Sequence, residues 1–430
     1  MKNGSKVQLR YLNMKNNNIP DIRFPGFTDD WEQRKLSSIC SMHARIGWQN
    51  LRTSEFLDTG EYYLITGTDF DDGKVNLSTC HYVAKERYDQ DKKIQIKNGS
   101  ILITKDGTLG KVALVEELDK PATLNAGVFN VEIVAENIDN KYLFQYLKAP
   151  FLMDYVDRKA TGGTIKHLNQ NILVDFPVWL SDYEEQKRVG LFFQQLDCLI
   201  TLHQNELDVL KKTKKGFLQE MFPKEGEIVP EVRFPGFTDD WEQRKLGEMA
   251  DFSKGNCYSK SDLTDEGEPV ILYGRLYTKY ETVISTVDTF TAKKENSVIS
   301  KGNEVIIPAS GETAEDISRA AVVAEQGIII GGDLNIVRPY EEIDSIFLAL
   351  TISNGKQQKE LSRRAQGKSI VHLHNSDLKE VDLIFPRIDE QIRIGFFFKQ
   401  LDNTIALHQR ELDVLKKTKK AFLQKMFINS

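Results

Sequence analysis

Residues able to do covalent chemistry are scattered along this 430-residue chain without the spacings that catalysis requires. Gly110-Lys111 and Gly367-Lys368-Ser369 resemble the close of a phosphate-binding loop. Both lack the opening glycine of GxxxxGK(S/T), so no backbone cradle for phosphate is expected. Cys40, Cys80, Cys198 and Cys257 lie far apart with no CxxC pair, which argues against a disulfide framework or a cysteine-based zinc site. No HExxH, GxSxG or cysteine–histidine zinc spacing occurs. An adenine-methylating Asn/Asp-Pro-Pro-aromatic motif and a glycine-rich cofactor loop after a strand are also missing. His372 and His374 form an HxH pair that could meet a metal, but a related stretch has Asn169 at the second position, which favours loop histidines with ordinary partners. The expectation is a binding protein with no catalytic residue, no metal ligands and no cofactor of its own.

The residues suited to binding lie in two short, similar islands, RKATGGTIKHL at Arg158–Leu168 and RRAQGKSIVHL at Arg363–Leu373. Flexible glycine beside Arg and Lys suits close approach to a phosphate backbone. Arg158, Lys159, Gly163, Thr164 and Lys166, with Arg363, Arg364, Lys368 and Ser369, are therefore assigned to backbone positioning. His167 and His372 each precede a leucine and are read equally well as buried structural residues. Were the ligand DNA, base readers would instead lie in loops that differ between the two halves. The candidates are Lys105, Asp106 and Thr108 after SILIT, and Ser310, Glu312 and Thr313 after VIIPA.

These islands sit inside a duplication. RFPGFTDDWEQRKL stands at Arg23–Leu36 and again, unchanged, at Arg233–Leu246. LDCLITLHQNELDVLKKTKKGFLQEMF at Leu196–Phe222 returns at Leu401–Phe427 with six of 27 positions altered. Between these blocks, Ser37–Asp157 and Gly247–Ser362 diverge almost completely. Near-identical frames thus hold two unlike inserts. A duplication with no sorting of function would have diverged evenly.

Each insert alternates short apolar runs with Gly and Asp punctuation, at Tyr62–Phe70, Ser100–Thr108 and Gly127–Val134, then near Pro269, Asn303 and Gly327. Helical patterns follow at Lys141–Val156 and Ser345–Ser353. The predicted fold class is α+β: two tandem pseudo-symmetric domains, each followed by a long helix. Ser181 and Glu184 have capping-box spacing at the start of the first long helix. A heptad seam runs Leu196, Ile200, His203, Leu207, Leu210, Lys214, Phe217, Met221 and repeats as Leu401, Ile405, His408, Leu412, Leu415, Lys419, Phe422, Met426. Such a seam needs a partner helix, and the duplicate is the nearest, which predicts an antiparallel coiled coil. Lys214 and Lys419 either fix its register or let their stems snorkel past it. The expected boundaries are a disordered extension over 1–18, α+β domains over 19–180 and 233–387, long helices over 181–222 and 388–430, and a linker over 223–232.

Composition sets outer limits. Forty per cent apolar and 28% charged residues is globular, and a net charge of −6 gives no bulk attraction for nucleic acid. Neither insert is net basic, so the chain alone should bind DNA poorly. The KKTKK runs flank the seam and read as solvated faces or protein-docking sites. The first twenty residues lack an apolar signal core, and no stretch reaches the ~18 apolar residues of a membrane span, so a cytoplasmic location is expected.

The FPGF…WEQRKL block, a variable domain ending in GGTIKHL…FPV, then EEQKRVGLFFQQLD and a long helix, all given twice, closely resembles the specificity subunit of type I restriction–modification systems. The resemblance covers nearly the whole chain after residue 18. It implies a non-catalytic subunit that reads a bipartite double-stranded DNA target, one domain per half-site, with the paired helices as a ruler between them. It also implies docking of two modification subunits, which methylate adenine at N6 with S-adenosylmethionine, and of restriction subunits that use ATP and Mg. A fused enzyme with unrecognised motifs and a scaffold that never touches DNA are the competing readings. The divergence confined between repeated blocks argues against both.

Overall fold

A computed structural model describes residues 10–11, 18–47, 50–159, 168–256, 258–314, 316–365 and 371–428. They divide into two compact units, 1–202 with 412–430, and 203–411. Each unit holds one recognition domain together with part of both long helices, so the helices do not form a body of their own.

In the first unit the fully buried strand Ile101–Thr104 lies at the middle of a sheet ordered Cys40–His43, Val128–Ile133, Ile101–Thr104, Val112–Leu114, Lys74–Val75, Phe70–Asp71. Successive side chains on a strand point to opposite faces. Ile101 and Ile103 accordingly join a core with Tyr142, Leu143 and Tyr146 of the following helix, and Leu102 joins a second core with Tyr63, Ile65 and Leu124. That second core belongs to a smaller sheet in which Tyr63–Ile65 and Ala122–Leu124 run parallel.

The second unit repeats this plan with other residues. Its sheet runs Ala250–Lys254, Leu334–Pro339, Glu304–Pro308, Ala321–Val323, Val283–Ile284. Val305 and Ile307 face the helix core, and Ile306 faces a second five-stranded sheet. That sheet too contains a parallel pair, Glu268–Ile271 with Gln326–Ile330. The architecture is α+β in both units.

Two local expectations are corrected. The stretch Lys141–Val156 is two helices, Asn140–Lys148 and Phe151–Lys159. Pro150 explains the break: it has no N–H to donate, and it holds Ala149 extended at ψ 157°. The long central helix, Tyr183–Glu220, is capped by Asp182 rather than by a Ser181–Glu184 box. The Asp182 carbonyl accepts from Gln186 N at 2.9 Å, and its carboxylate accepts from Glu184 N at 2.9 Å. Among the described residues Arg10–Tyr11 also pairs antiparallel with Ile22–Arg23.

The repeated blocks lock each domain onto the start of its helix. EQRK at Glu32–Lys35 is a strand paired with Pro177–Leu180, and Glu242–Lys245 pairs likewise with Asp382–Phe385. Arg23 grips Glu185 with two parallel bonds of 2.8 and 2.7 Å, and Arg233 grips Glu390 with bonds of 2.9 and 2.6 Å. Both carboxylates are buried, where a forked guanidinium partner is required. Trp31 adds a bond to Glu185 at 3.0 Å, which Trp241 does not make to Glu390. The next residue, Gln186 or Gln391, accepts from the backbone N–H of Asp139 or Asp344, the cap of the domain's own helix. Gly190 lets the long helix pass close to that cap, since a Cβ there would lie 2.7 Å from Asp139 Oδ1 and 2.8 Å from Tyr142 N.

The C-terminal helix, Ile388–Met426, packs antiparallel to the central helix in each unit. In the first unit Phe192 meets Phe422, Phe193 meets Phe427, and Lys419 pairs with Asp197. In the second, Phe217 meets Phe397 and Lys214 pairs with Asp402. Lys214 and Lys419 thus hold cross-helix carboxylates instead of snorkelling. Asp197 also accepts from Gln145 at 2.7 Å, and Asp402 accepts from Thr282 at 2.9 Å, which ties each helix pair to its recognition domain. Leu196, Ile200, Leu207 and Leu412 are buried, and Leu210, Leu401, Ile405 and Leu415 half-buried. The helix ends finish the cores: Met426 and Phe427 fill the first, Met221 and Phe222 the second.

Candidate nucleic-acid interface

In each domain the loop after the central strand meets the end of the shared island. In the first, Leu168 N donates to Lys105 O at 2.8 Å, and Lys105 N donates to Gly127 O at 2.9 Å. In the second, Leu373 N donates to Ala309 O at 3.0 Å, and Ala309 N donates to Asp333 O at 2.7 Å. A short ladder extends the second contact, pairing Ser310 with His372 and Gly311 with Val371. In both domains, therefore, the loop meets the C-terminal end of the island, at Leu168 and at Val371–Leu373.

The loop side chains are placed differently. Lys105 is half-buried with its ammonium 5.5 Å from the centre of the Phe129 ring, Asp106 is half-buried, and Thr108 is exposed. Thr104 closes that loop, its hydroxyl donating to Thr108 O and accepting from Lys111 N at 2.9 Å. Gly107 and Gly110 take φ of +73° and +70° there, and a side chain at Gly110 would collide with Met153. In the second domain Glu312 and Thr313 are exposed and Ser310 half-buried. Thr313 commits its hydroxyl to capping the turn at Asp316–Ser318, donating to Asp316 Oδ2 at 2.7 Å and accepting from its N–H at 3.1 Å. Tyr277 donates its hydroxyl to Ser310 O at 2.8 Å, and burial raises its pKa, keeping it a donor.

Of the island cations, Arg158 and Lys159 are exposed at the end of the helix Phe151–Lys159, and Arg363 is exposed at the end of Gly355–Arg364. Arg364 is held by Glu360 through bonds of 3.1 and 2.8 Å. Gly163, Thr164, Lys166 and His167, with Lys368 and Ser369, lie outside the described residues. His372 is exposed rather than buried, its ring parallel to that of His374 with centroids 6.3 Å apart.

Sequence reasoning missed the turn Gly331–Asp333 and Tyr277, both of which touch the second loop. The Gly-Gly-Asp signal was there, since Asp333 takes a positive φ of +58° in a tight turn before a strand. Nothing in the sequence flagged Tyr277. A cleft beside this turn contains Lys260, Arg275 and Lys279. Two of those cations are neutralised: Arg275 pairs with Glu281 and Asp288, and Lys279 with Asp288. Among the described residues no helix is long and apolar enough to cross a membrane.

Residues 28–212 and 238–417 each match the family described as Type I restriction modification DNA specificity domain. The specificity subunit of the type I restriction enzyme MjaVIII from Methanocaldococcus jannaschii is 25% identical over 350 residues, 77% of this chain and 79% of that protein. A putative MjaX specificity subunit from the same organism is 25% identical over 427 residues, 95% of each chain. The crystal structure of a type I restriction–modification S subunit from M. genitalium superposes with a TM-score of 0.61 at 16% identity, covering 95% of this chain and 99% of that one. At that identity the likeness is one of fold.

Proposed function

Because the chain belongs to the type I restriction–modification specificity family, with two copies of its DNA specificity domain, we propose that it reads a bipartite double-stranded DNA target, one domain per half-site. Specificity subunits are non-catalytic, so the reading must reside in shape and contacts. The observation that carries it is the pair of recognition domains built on one strand order, with unlike loops at the same place, Lys105–Thr108 and Ser310–Thr313. Island cations at the helix ends would hold the phosphate backbone, and the loops would touch base edges.

The same proposal assigns docking of two modification subunits to the long helices. Leu191, Leu202 and Val209 are exposed on the central helix, and Phe396, Leu407 and Val414, their counterparts, on the C-terminal helix. Intervals of eleven and seven residues return to one face at about 3.6 residues per turn, so each helix carries a second apolar stripe away from its seam. Two equivalent stripes suit two copies of one partner. Those partners would supply adenine-N6 methylation with S-adenosylmethionine and much of the phosphate attraction this acidic chain lacks, and restriction subunits would bring ATP and Mg chemistry. The helices would fix the spacer between half-sites.

Single-molecule methylation profiling of cells with and without this gene, its partner genes present, tests the reading. One bipartite motif, methylated only with the gene, is expected. An unchanged methylome with a fully assembled complex would refute it.

A further inference from the structure

One cluster on the helix seam has no part in reading DNA or closing the core. The repeated sequences LHQNEL and LHQREL each place a histidine and a glutamate three residues apart, hence on one helix face: His203 with Glu206, and His408 with Glu411. His203, His408 and Glu411 meet where the two helices pack together within the second unit, and Glu206 lies beside both imidazoles. The imidazole centroids are 5.9 Å apart. Glu206 Oε2 lies 3.7 Å from His203 Nδ1 and 3.6 Å from His408 Nδ1, and Glu411 Oε2 lies 4.0 Å from His203 Nδ1.

Both Nδ1 atoms are buried and have no hydrogen-bond partner. The Glu206 carboxylate, at 3.7 and 3.6 Å, stands too far from either for a bond of about 2.7–3.2 Å. That gap suits an interposed ion. Ligand atoms about 2.0–2.2 Å from a tetrahedral zinc stand roughly 3.4 Å from one another. Ligand atoms of His203, His408 and Glu411 already lie within 4.8 Å of one another.

We propose that His203, Glu206, His408 and Glu411 form a site for a divalent transition-metal cation, zinc by preference, which bridges the two long helices. Two neutral imidazoles and two carboxylates balance a double positive charge. Mixed nitrogen and oxygen donors select a borderline ion over calcium or magnesium, which prefer oxygen alone. The half-exposed carboxylates give the ion access from solvent, and the imidazoles sit deeper against the seam. Its place is structural. The histidines interrupt the apolar seam between Ile200 and Leu207 and between Ile405 and Leu412, and the ion would replace the packing lost there.

The test uses the full-length chain freed of any affinity tag, stripped with a chelator and titrated with cobalt(II) as a spectroscopic probe, then with zinc. The expected result is one ion per chain, the visible bands of tetrahedral cobalt, displacement by zinc, and a higher unfolding temperature with metal. His203→Gln and His408→Gln should each weaken binding by at least about tenfold, and a His372→Ala/His374→Ala double variant should not. No bound cobalt or zinc in the wild-type chain would overturn the proposal, independently of any variant's folding. Binding that survives both glutamine substitutions, or vanishes with the His372/His374 pair, would overturn it too. The readout is metal alone and is indifferent to whether the chain reads DNA.

Discussion

In the first domain the strand Ile101–Thr104 runs into a loop led by Lys105 and Asp106; in the second, Glu304–Pro308 runs into one led by Ser310 and Glu312. Both loops are pinned by the same backbone bonds, from Leu168 or Leu373 on one side and to Gly127 or Asp333 on the other. The scaffold is thus repeated down to single hydrogen bonds, while the side chains it presents are not. The repeated frame behaves oppositely, keeping the residues themselves: the Arg23–Glu185 and Arg233–Glu390 forks, and the Lys419–Asp197 and Lys214–Asp402 pairs. Position is held constant where the architecture is common, and chemistry varies where, on the proposed function, two different sequences must be told apart.

The sharpest way to break that contrast is in the frame. Leu207 and Leu412 are each 1% exposed, and Leu207→Asp or Leu412→Asp should cost several kcal/mol and abolish soluble expression. Arg23→Ala and Arg233→Ala each strand a buried carboxylate and should lose roughly 3–5 kcal/mol in urea unfolding. The outer stripe should respond differently. Leu202→Asp/Val209→Asp should move stability by within about 1 kcal/mol, yet native mass spectrometry should find fewer than two modification subunits per chain. The smallest stability effects belong to the loops. Lys105→Ala and Glu312→Ala should change stability by about 0.5 kcal/mol or less, and each should relax base preference in one half-site only, by about 1–3 kcal/mol per affected base pair.

Much of this was legible in sequence because it is local or repeated. The α+β class, the long helices and the seam all follow from periodicity, turn residues and duplication. What escaped depends on distant partners. Arg23 and Glu185 are 162 positions apart, and no local pattern joins them. The choice between register-fixing and snorkelling for Lys214 and Lys419 required the carboxylates of Asp402 and Asp197 on the other helix. His203 and His408 register only as seam positions until both HxxE pairs are brought face to face. Strand order was hidden for the same reason, since Ile101–Thr104 finds its neighbours through tertiary pairing. The helix break was misread although its cause, Pro150, stands in the sequence.

The central claim is that one insert reads one half-site on a common scaffold. Replacing 37–157 with the corresponding insert of another family member, and profiling methylation in cells carrying the partner genes, tests it most directly. The account predicts a new sequence in one half of the target, with the other half and the spacer unchanged. Both halves changing together, or an active complex whose target is unaltered, would contradict it.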